Sequence, residues 1–262
     1  MIVFSLFIAL VLERLRITPE GWQVNDAARR FDTWLSEHET YGKARGHATF
    51  GPFLLLLPAF LLAVLMLFNI SGFAILLLNI LVLTLAFNCR PYREALKRWY
   101  LATERDDTES QATARRELLP DDSALSLGQQ LVWLNFRYFF AVIVWFILLG
   151  APGVLGYIFL RANAERISRF MGWVDWLPVR IAGVAFLLVG HFSNALQPWL
   201  SSLKATPDNQ DVLLSLAEAA EAFPGDSEEE SAEPQAMLGL ARRATIILLV
   251  AVAVATLMGW LV

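Results

Sequence analysis

Five residues at the edges of long apolar runs have the types that could do chemistry: Asn135, Arg137, Asp175, Arg180 and His191. An ionisable group near or inside a membrane-length apolar segment is costly, so each needs a partner or a function. In Trp133-Leu134-Asn135-Phe136-Arg137-Tyr138, Arg137 stands where an uncharged run begins. Its guanidinium either snorkels to the head groups or faces inward, where it can grip phosphate or carboxylate with two bonds. In Asp175-Trp176-Leu177-Pro178-Val179-Arg180, Pro178 is suited to open a helix. Asp175 then lies near the N-cap, where a carboxylate offsets the helix dipole. Arg180 falls one turn into that helix, against the dipole, and calls for Asp175, another acid or a bound anion. His191 ends the apolar part of the same segment and reads as a neutral, hydrogen-bonded side chain. Asn135 and Arg137 are two residues apart and cannot share one helix face, so the start of their segment is expected to be unwound or frayed. Asn135, Arg137, Asp175 and Arg180 are expected to converge on one polar pocket near the cytoplasmic face. The competing expectation is two independent snorkelling arginines.

Other chemistries lack their residues. Gly42-Lys43-Ala44 has neither the spacing nor the terminal hydroxyl of a phosphate loop, and no GxSxG, HExxH or paired-carboxylate pattern occurs. The three histidines, His38, His47 and His191, are far apart, and Cys89 is the single cysteine, which excludes an intrachain disulfide framework and a multi-cysteine metal site. The expectation is no metal and no cofactor. With 21 Lys+Arg against 25 Asp+Glu, the net charge of −4 gives no basic stripe for nucleic acid.

The elements that must position these residues are membrane helices. Of 262 residues 56% are hydrophobic and only 18% charged, against roughly 25% charged in a soluble domain. A spanning helix needs about 20 predominantly apolar residues. Phe50–Phe68, Ile70–Phe87, Tyr138–Leu160 and Ala244–Val262 are free of charge, and Ile181–Leu203 forms a weaker fifth run, apolar to about Val189. The fold class is therefore all-α: a polytopic helical membrane protein with four to five spans and amphipathic cytoplasmic helices. Met1–Leu12 is too short to span and lacks a basic n-region and a cleavage site, so it reads as a re-entrant, interfacial or packed helix rather than a signal peptide. Trp133, Trp173, Trp176, Trp199 and Trp260 lie near span ends, where indoles favour the interface.

Lys43 and Arg45 precede the first run, while Arg90, Arg93, Lys97 and Arg98 follow the second, so both open ends of the Phe50–Phe87 hairpin are expected in the cytoplasm. Arg161, Arg166 and Arg169 conflict with this topology unless Pro152-Gly153 breaks the third run into a hairpin. Residues 1–262 are expected to form a single membrane domain. A cytoplasmic helical loop is expected over 91–130, where Tyr92, Ala95, Leu96, Trp99 and Tyr100 mark one helix face and Pro91 suits the first turn. Residues 13–48 read as a short helical region with Trp22, Phe31 and Trp34 packing. A polar loop over 204–243 contains a short helix at 212–223 and the acidic stretch 224–234, which reads as a disordered, solvated linker.

Several strings give a resemblance. Glu13-Arg14-Leu15, Leu131-Val132-Trp133-Leu134-Asn135-Phe136-Arg137, Gly156-Tyr157-Ile158-Phe159-Leu160-Arg161-Ala162, Asp175 to Gly183, Gly190-His191 and Arg242-Arg243 before a last apolar run resemble the AmpE family of bacterial inner-membrane proteins. That resemblance implies a multi-pass inner-membrane protein linked to β-lactamase induction and cell-wall stress. It further implies a functional link to a muropeptide amidase. The family is similar, more distantly, to the membrane-bound adenosylcobinamide-phosphate synthases. Ala114-Arg115-Arg116-Glu117-Leu118, Asn135 and Pro178-Val179-Arg180 match synthase strings, which adds Arg115 to the candidate ligand-binding residues. The synthase Gly-Arg-Asp-Thr string is missing from Leu118-Leu119-Pro120-Asp121-Asp122-Ser123, and Gln130 and Tyr138 stand where acids are expected. Without those acids the amide-forming chemistry lacks its metal ligands or proton carriers.

The leading expectation is thus a regulatory signalling protein, in contact with membrane lipid, that binds a muropeptide-like or other anionic ligand through Asn135, Arg137, Asp175, Arg180 and Arg115, with no catalytic residue. The alternative is an amide-forming enzyme of the synthase type. A transporter is weaker, since no inverted repeat of broken helices is visible.

Overall fold

Uncharged apolar runs leave the backbone few ways to satisfy its own amides other than the helix, and among the described residues every regular element is helical. The computed structural model describes residues 2–15, 24–38, 50–68, 71–119, 123–204, 208–221 and 231–260. The helices are α1 Ile2–Arg14, α2 Val24–Glu37, α3 Phe50–Leu55, α4 Leu57–Leu67, α5 Gly72–Ala86, α6 Arg90–Thr103, α7 Thr108–Leu118, α8 Leu127–Asn135, α9 Ala141–Ala162, α10 Ser168–Val189, α11 Phe192–Lys204, α12 Asn209–Ala220 and α13 Ala232–Leu257. A π-helical turn, Phe136–Phe140, joins α8 to α9. Three helical stretches are long and apolar enough to cross a membrane: Leu127–Ala162, α10 and α13. A fourth is added if the broken pair α5 and α6 is one span. The chain is a membrane protein.

Proline and glycine break two of the apolar runs: the first, which reads as continuous in the sequence, and the third, where a break at Pro152-Gly153 is one of two readings. Phe50–Phe68 is two helices, interrupted at Leu56, with Pro58 in the first turn of α4. A proline amide cannot donate to the preceding turn. At 11 residues, α4 is roughly 16 Å long and falls short of the bilayer core of about 30 Å. The corresponding reversal in α9 is at Gly150, whose φ of 66° and ψ of −156° are outside helical geometry. A Cβ on Gly153 would stand 2.8 Å from the Trp145 carbonyl oxygen. Residues eight apart in a straight helix are about 12 Å apart along the axis. The second arm of α9 therefore turns sharply back against the end of the first, and only glycine permits both the positive φ and the close approach.

The chain divides into two compact units. Unit 1 comprises Met1–Asn88, Phe139–Pro178 and Leu249–Val262; unit 2 comprises Cys89–Tyr138 and Val179–Leu248.

In unit 1, α9 is the helix against which α2, α3, α4 and α5 all pack, and α1 lies against α5 and α9. α1 buries Ser5, Leu6 and Ala9 and turns Phe4, Phe7 and Val11 outward. It is thus a packed helix of 13 residues. α2 is amphipathic: Ala28, Asp32 and Leu35 are buried, while Phe31 meets Phe159 edge-on at 5.6 Å and stacks on Trp34 at 6.0 Å. Trp22 lies outside the described residues.

In unit 2, α6 and α7 form a hairpin. Asp107 caps α7 by accepting the Ser110 amide at 3.1 Å. Ala95, Leu96 and Trp99 pack on Ala114 and Leu118, and the same core takes in Leu127 and Leu131 of α8. Ser126 and Gln129 close a reciprocal capping box at the start of α8. α12 packs against α8 and α11. Pro91 sits in the first turn of α6 as its sequence predicts. The acidic stretch at 222–230 lies outside the described residues, while Pro234 falls in the first turn of α13.

Candidate functional site

Arg180 is not in a first helical turn. α10 begins at Ser168 and carries Pro178 in its interior, because Met171, Asp175, Val179 and Ala182 form a buried stripe of helical period on both sides of the proline. The expected helix start at Pro178 is therefore wrong, and Asp175 is no N-cap. In unit 2 the buried Arg180 guanidinium donates from Nη1 to Asn209 Oδ1 at 2.6 Å and from Nη2 to the Ser202 carbonyl at 2.9 Å. Its compensation is a carboxamide and a helix-end carbonyl. Trp199 Nε1 donates to the Arg180 carbonyl at 3.3 Å, and its indole lies where a Cβ on Gly183 would be. Trp199 is thus a packing residue. The indoles of Trp173, Trp176 and Trp260 are exposed.

Asp175 belongs to unit 1, where it is buried and accepts the Tyr157 hydroxyl at 3.0 Å. The Arg161 guanidinium carbon lies 6.0 Å from the Tyr157 ring centre, and Arg161 Nη2 donates to Asn25 Oδ1 at 3.2 Å. Arg166 pairs with the buried Asp32 at 2.7 Å. Two arginines after the Gly150 corner are thereby tied to the amphipathic helix α2. Sequence reasoning treated those arginines only as charges in a loop. Their partners lie more than a hundred residues earlier, so no local pattern could reveal them.

The segment at Asn135 and Arg137 is neither frayed nor unwound. The wider π turn, Phe136–Phe140, shifts the facing of successive residues while keeping the helix intact. Asn135 Oδ1 accepts the Thr245 hydroxyl of α13 at 3.1 Å. Arg137 lies over the Trp133 ring at 4.9 Å, an intrahelical cation–π contact. Tyr138 meets Tyr92 of α6 at 5.6 Å, and Gln130 Nε2 donates to the Leu118 carbonyl at 3.1 Å. Gln130 and Tyr138 thus serve capping and packing here. Arg115 is exposed in the last turn of α7, where a cation complements the dipole. His191 donates its amide to the Ala220 carbonyl at 2.7 Å and its side chain is exposed.

Asn135, Arg137, Arg180 and Arg115 thus fall in unit 2, with Asp175 in unit 1. Unit 2 also holds Arg93, which sequence reasoning uses only for orientation, and Arg242, which enters it only through the resemblance. Leu238 of α13 packs on the α6–α8 core beside Tyr92 and Tyr100. Arg242 and Thr245 follow Leu238 at i+4 and i+7, on the same face. Thr245 is buried on that face, while Arg242 is exposed. On α6, Arg93 is half-buried; burial and the Arg242 charge both hold its guanidinium below the ordinary value. Burial raises the Tyr100 hydroxyl, and the same Arg242 charge opposes that shift.

The model of the family described as "Regulatory signalling modulator protein AmpE" matches residues 1–262. A relative described as "Protein AmpE", from Shigella flexneri, is 29% identical over 292 aligned positions, covering 100% of each chain. No solved structure matches this chain. With the match running through the π turn, the Gly150 corner and both arginine-bearing units, the chain belongs to the AmpE family of regulatory signalling modulators.

Proposed function

We propose that this protein is a multi-pass inner-membrane modulator of β-lactamase induction and cell-wall stress signalling, and that it acts by binding an anionic ligand of the muropeptide class on its cytoplasmic side. The observation that carries the reading is the whole-chain match to a regulatory signalling family. The concentration of arginines in unit 2 supports the anionic ligand, with Asn135, Arg137 and Arg115 as the candidate binding residues there, while Arg180 and Asp175 are engaged in the scaffold of their own units. A link to a muropeptide amidase follows from the same chemistry, since such an enzyme changes the concentration of the ligand. The synthase alternative is disfavoured by Gln130 and Tyr138, whose side chains are engaged in the scaffold. The test is replacement of a host's own family member. Loss of the gene should change β-lactamase induction by a β-lactam, and this chain should restore it. Identical induction with the gene absent, present and replaced would refute the reading, as would rescue of an adenosylcobinamide-phosphate synthase mutant.

A further inference from the structure

The corner of α9 is built unlike a turn that meets water. Between α6 and α7 the chain turns through Glu104-Arg105-Asp106-Asp107, all charged and all exposed. The α9 corner, Leu148-Leu149-Gly150-Ala151-Pro152-Gly153, holds no polar side chain, and Leu148 and Leu149 are exposed on it. Its backbone suits a place without water, since Ala151 is fully buried and Pro152 has no amide to leave unpaired.

Two markers in unit 1 give the level of the membrane surface. Arg161 and Arg166 are held by Asn25 and Asp32 of α2, a helix that turns Asp26, Arg29, Arg30 and Glu37 outward. Tyr157 bonds Asp175, and beside Asp175 the indoles of Trp173 and Trp176 are exposed, as suits the interface. Helix rise puts Gly150 about 16 Å beyond Arg161 and about 10 Å beyond Tyr157, close to half of a bilayer core of about 30 Å. For the corner to reach the far face, Arg161 would have to sink about 14 Å into hydrocarbon, at the cost of carrying a cation there. The helices packed around α9 have a similar reach. α1, α4 and α5 have 13, 11 and 15 residues, about 20, 16 and 22 Å.

We propose that the α9 corner is a re-entrant tip that ends near the middle of the bilayer, where Leu148 and Leu149 contact lipid acyl chains, so that this hairpin enters and leaves the membrane on one side. The stretch Leu127–Ala162 has the length and composition of a span, but the reversal at Gly150 divides it into arms that stop short. The partner of the tip is the hydrocarbon of one leaflet. α10 and α13 remain long enough to cross.

The test uses the full-length Cys89→Ala chain in phosphatidylcholine nanodiscs, with a nitroxide label on Leu149→Cys. Electron paramagnetic resonance compares its collisions with oxygen, which concentrates in hydrocarbon, and with a water-soluble nickel chelate. Leu149→Cys should collide strongly with oxygen and hardly with nickel. Its oxygen-to-nickel ratio should exceed that of Trp173→Cys several-fold, and Arg105→Cys in the charged α6–α7 turn should give the lowest ratio of the three. Should Leu149→Cys fail to fold, Leu148→Cys on the same corner should give the same result. Strong nickel collisions at the corner, or its labelling by an impermeant maleimide in intact cells, would show that it reaches water and would overturn the proposal. Weak collisions with both reagents would mean that protein, such as a second copy of the chain, covers the corner, and would overturn the lipid contact.

Discussion

Several buried polar side chains hold the scaffold through named partners. Arg180 is one of them, with both terminal nitrogens engaged by Asn209 and Ser202. Arg180→Ala should destabilise the protein by about 3 kcal/mol, since hydrogen bonds to a charged donor contribute about 1.5–3 kcal/mol each. Unfolding in detergent measures this, and an unchanged midpoint would contradict the assigned contacts. Arg180→Lys should restore only part of the loss, because an ammonium cannot reproduce the planar fork. Tyr157→Phe removes the hydroxyl that Asp175 accepts in unit 1. A cost of about 1.5–3 kcal/mol is expected in the same assay, and Asp175→Asn should relieve most of it in the double variant.

Among elements, caps and corners decide where the helices stop. Ser126 caps α8 and also bonds Glu233 at the start of α13. Ser126→Ala should cost about 1 kcal/mol from the cap, and Ser126→Asp should not recover it, because a second carboxylate would face Glu233. Asp107 links one cap to pH. The Ser110 side chain and then its amide hold the Asp107 carboxyl below the ordinary carboxylate range. A lowered folded-state value contributes stability that is present above the ordinary carboxylate range and is lost as pH falls through the lowered one. The melting-temperature gap between wild type and Asp107→Asn should therefore shrink on acidification below that range; a gap constant with pH would contradict the cap. The helices themselves were legible. Charge-free runs marked the membrane segments, and the spacing of Tyr92, Ala95, Leu96, Trp99 and Tyr100 marked α6. Interruptions were less legible, because Gly150 looks like any glycine until its φ is known, and a π turn leaves no signature in residue type. The candidate site was partly legible for a different reason. Asn135 and Arg180 stood out beside apolar runs, whereas the partners of Arg161 and Arg166 depend on how distant helices pack.

For the whole molecule, the Gly150 corner removes the conflict in charge placement. An arm turned back after Gly150 brings Arg161 and Arg166 to α2, where Asn25 and Asp32 receive them. α2 is a polar amphipathic helix between basic flanks, so the positive-inside rule supports a proposed cytoplasmic side for the loop that carries Arg161 and Arg166, as it does for the α6–α7 loop. That placement is central, because a cytoplasmic ligand reaches these arginines only from that side. Impermeant maleimide labelling of single cysteines, introduced into a Cys89→Ala full-length chain at Arg105 in the α6–α7 turn and at Ala164 after α9, tests it most directly. The account predicts labelling of both from the cytoplasmic side alone, in inverted membrane vesicles. Efficient labelling of either position in intact cells, from the periplasmic side, would contradict it.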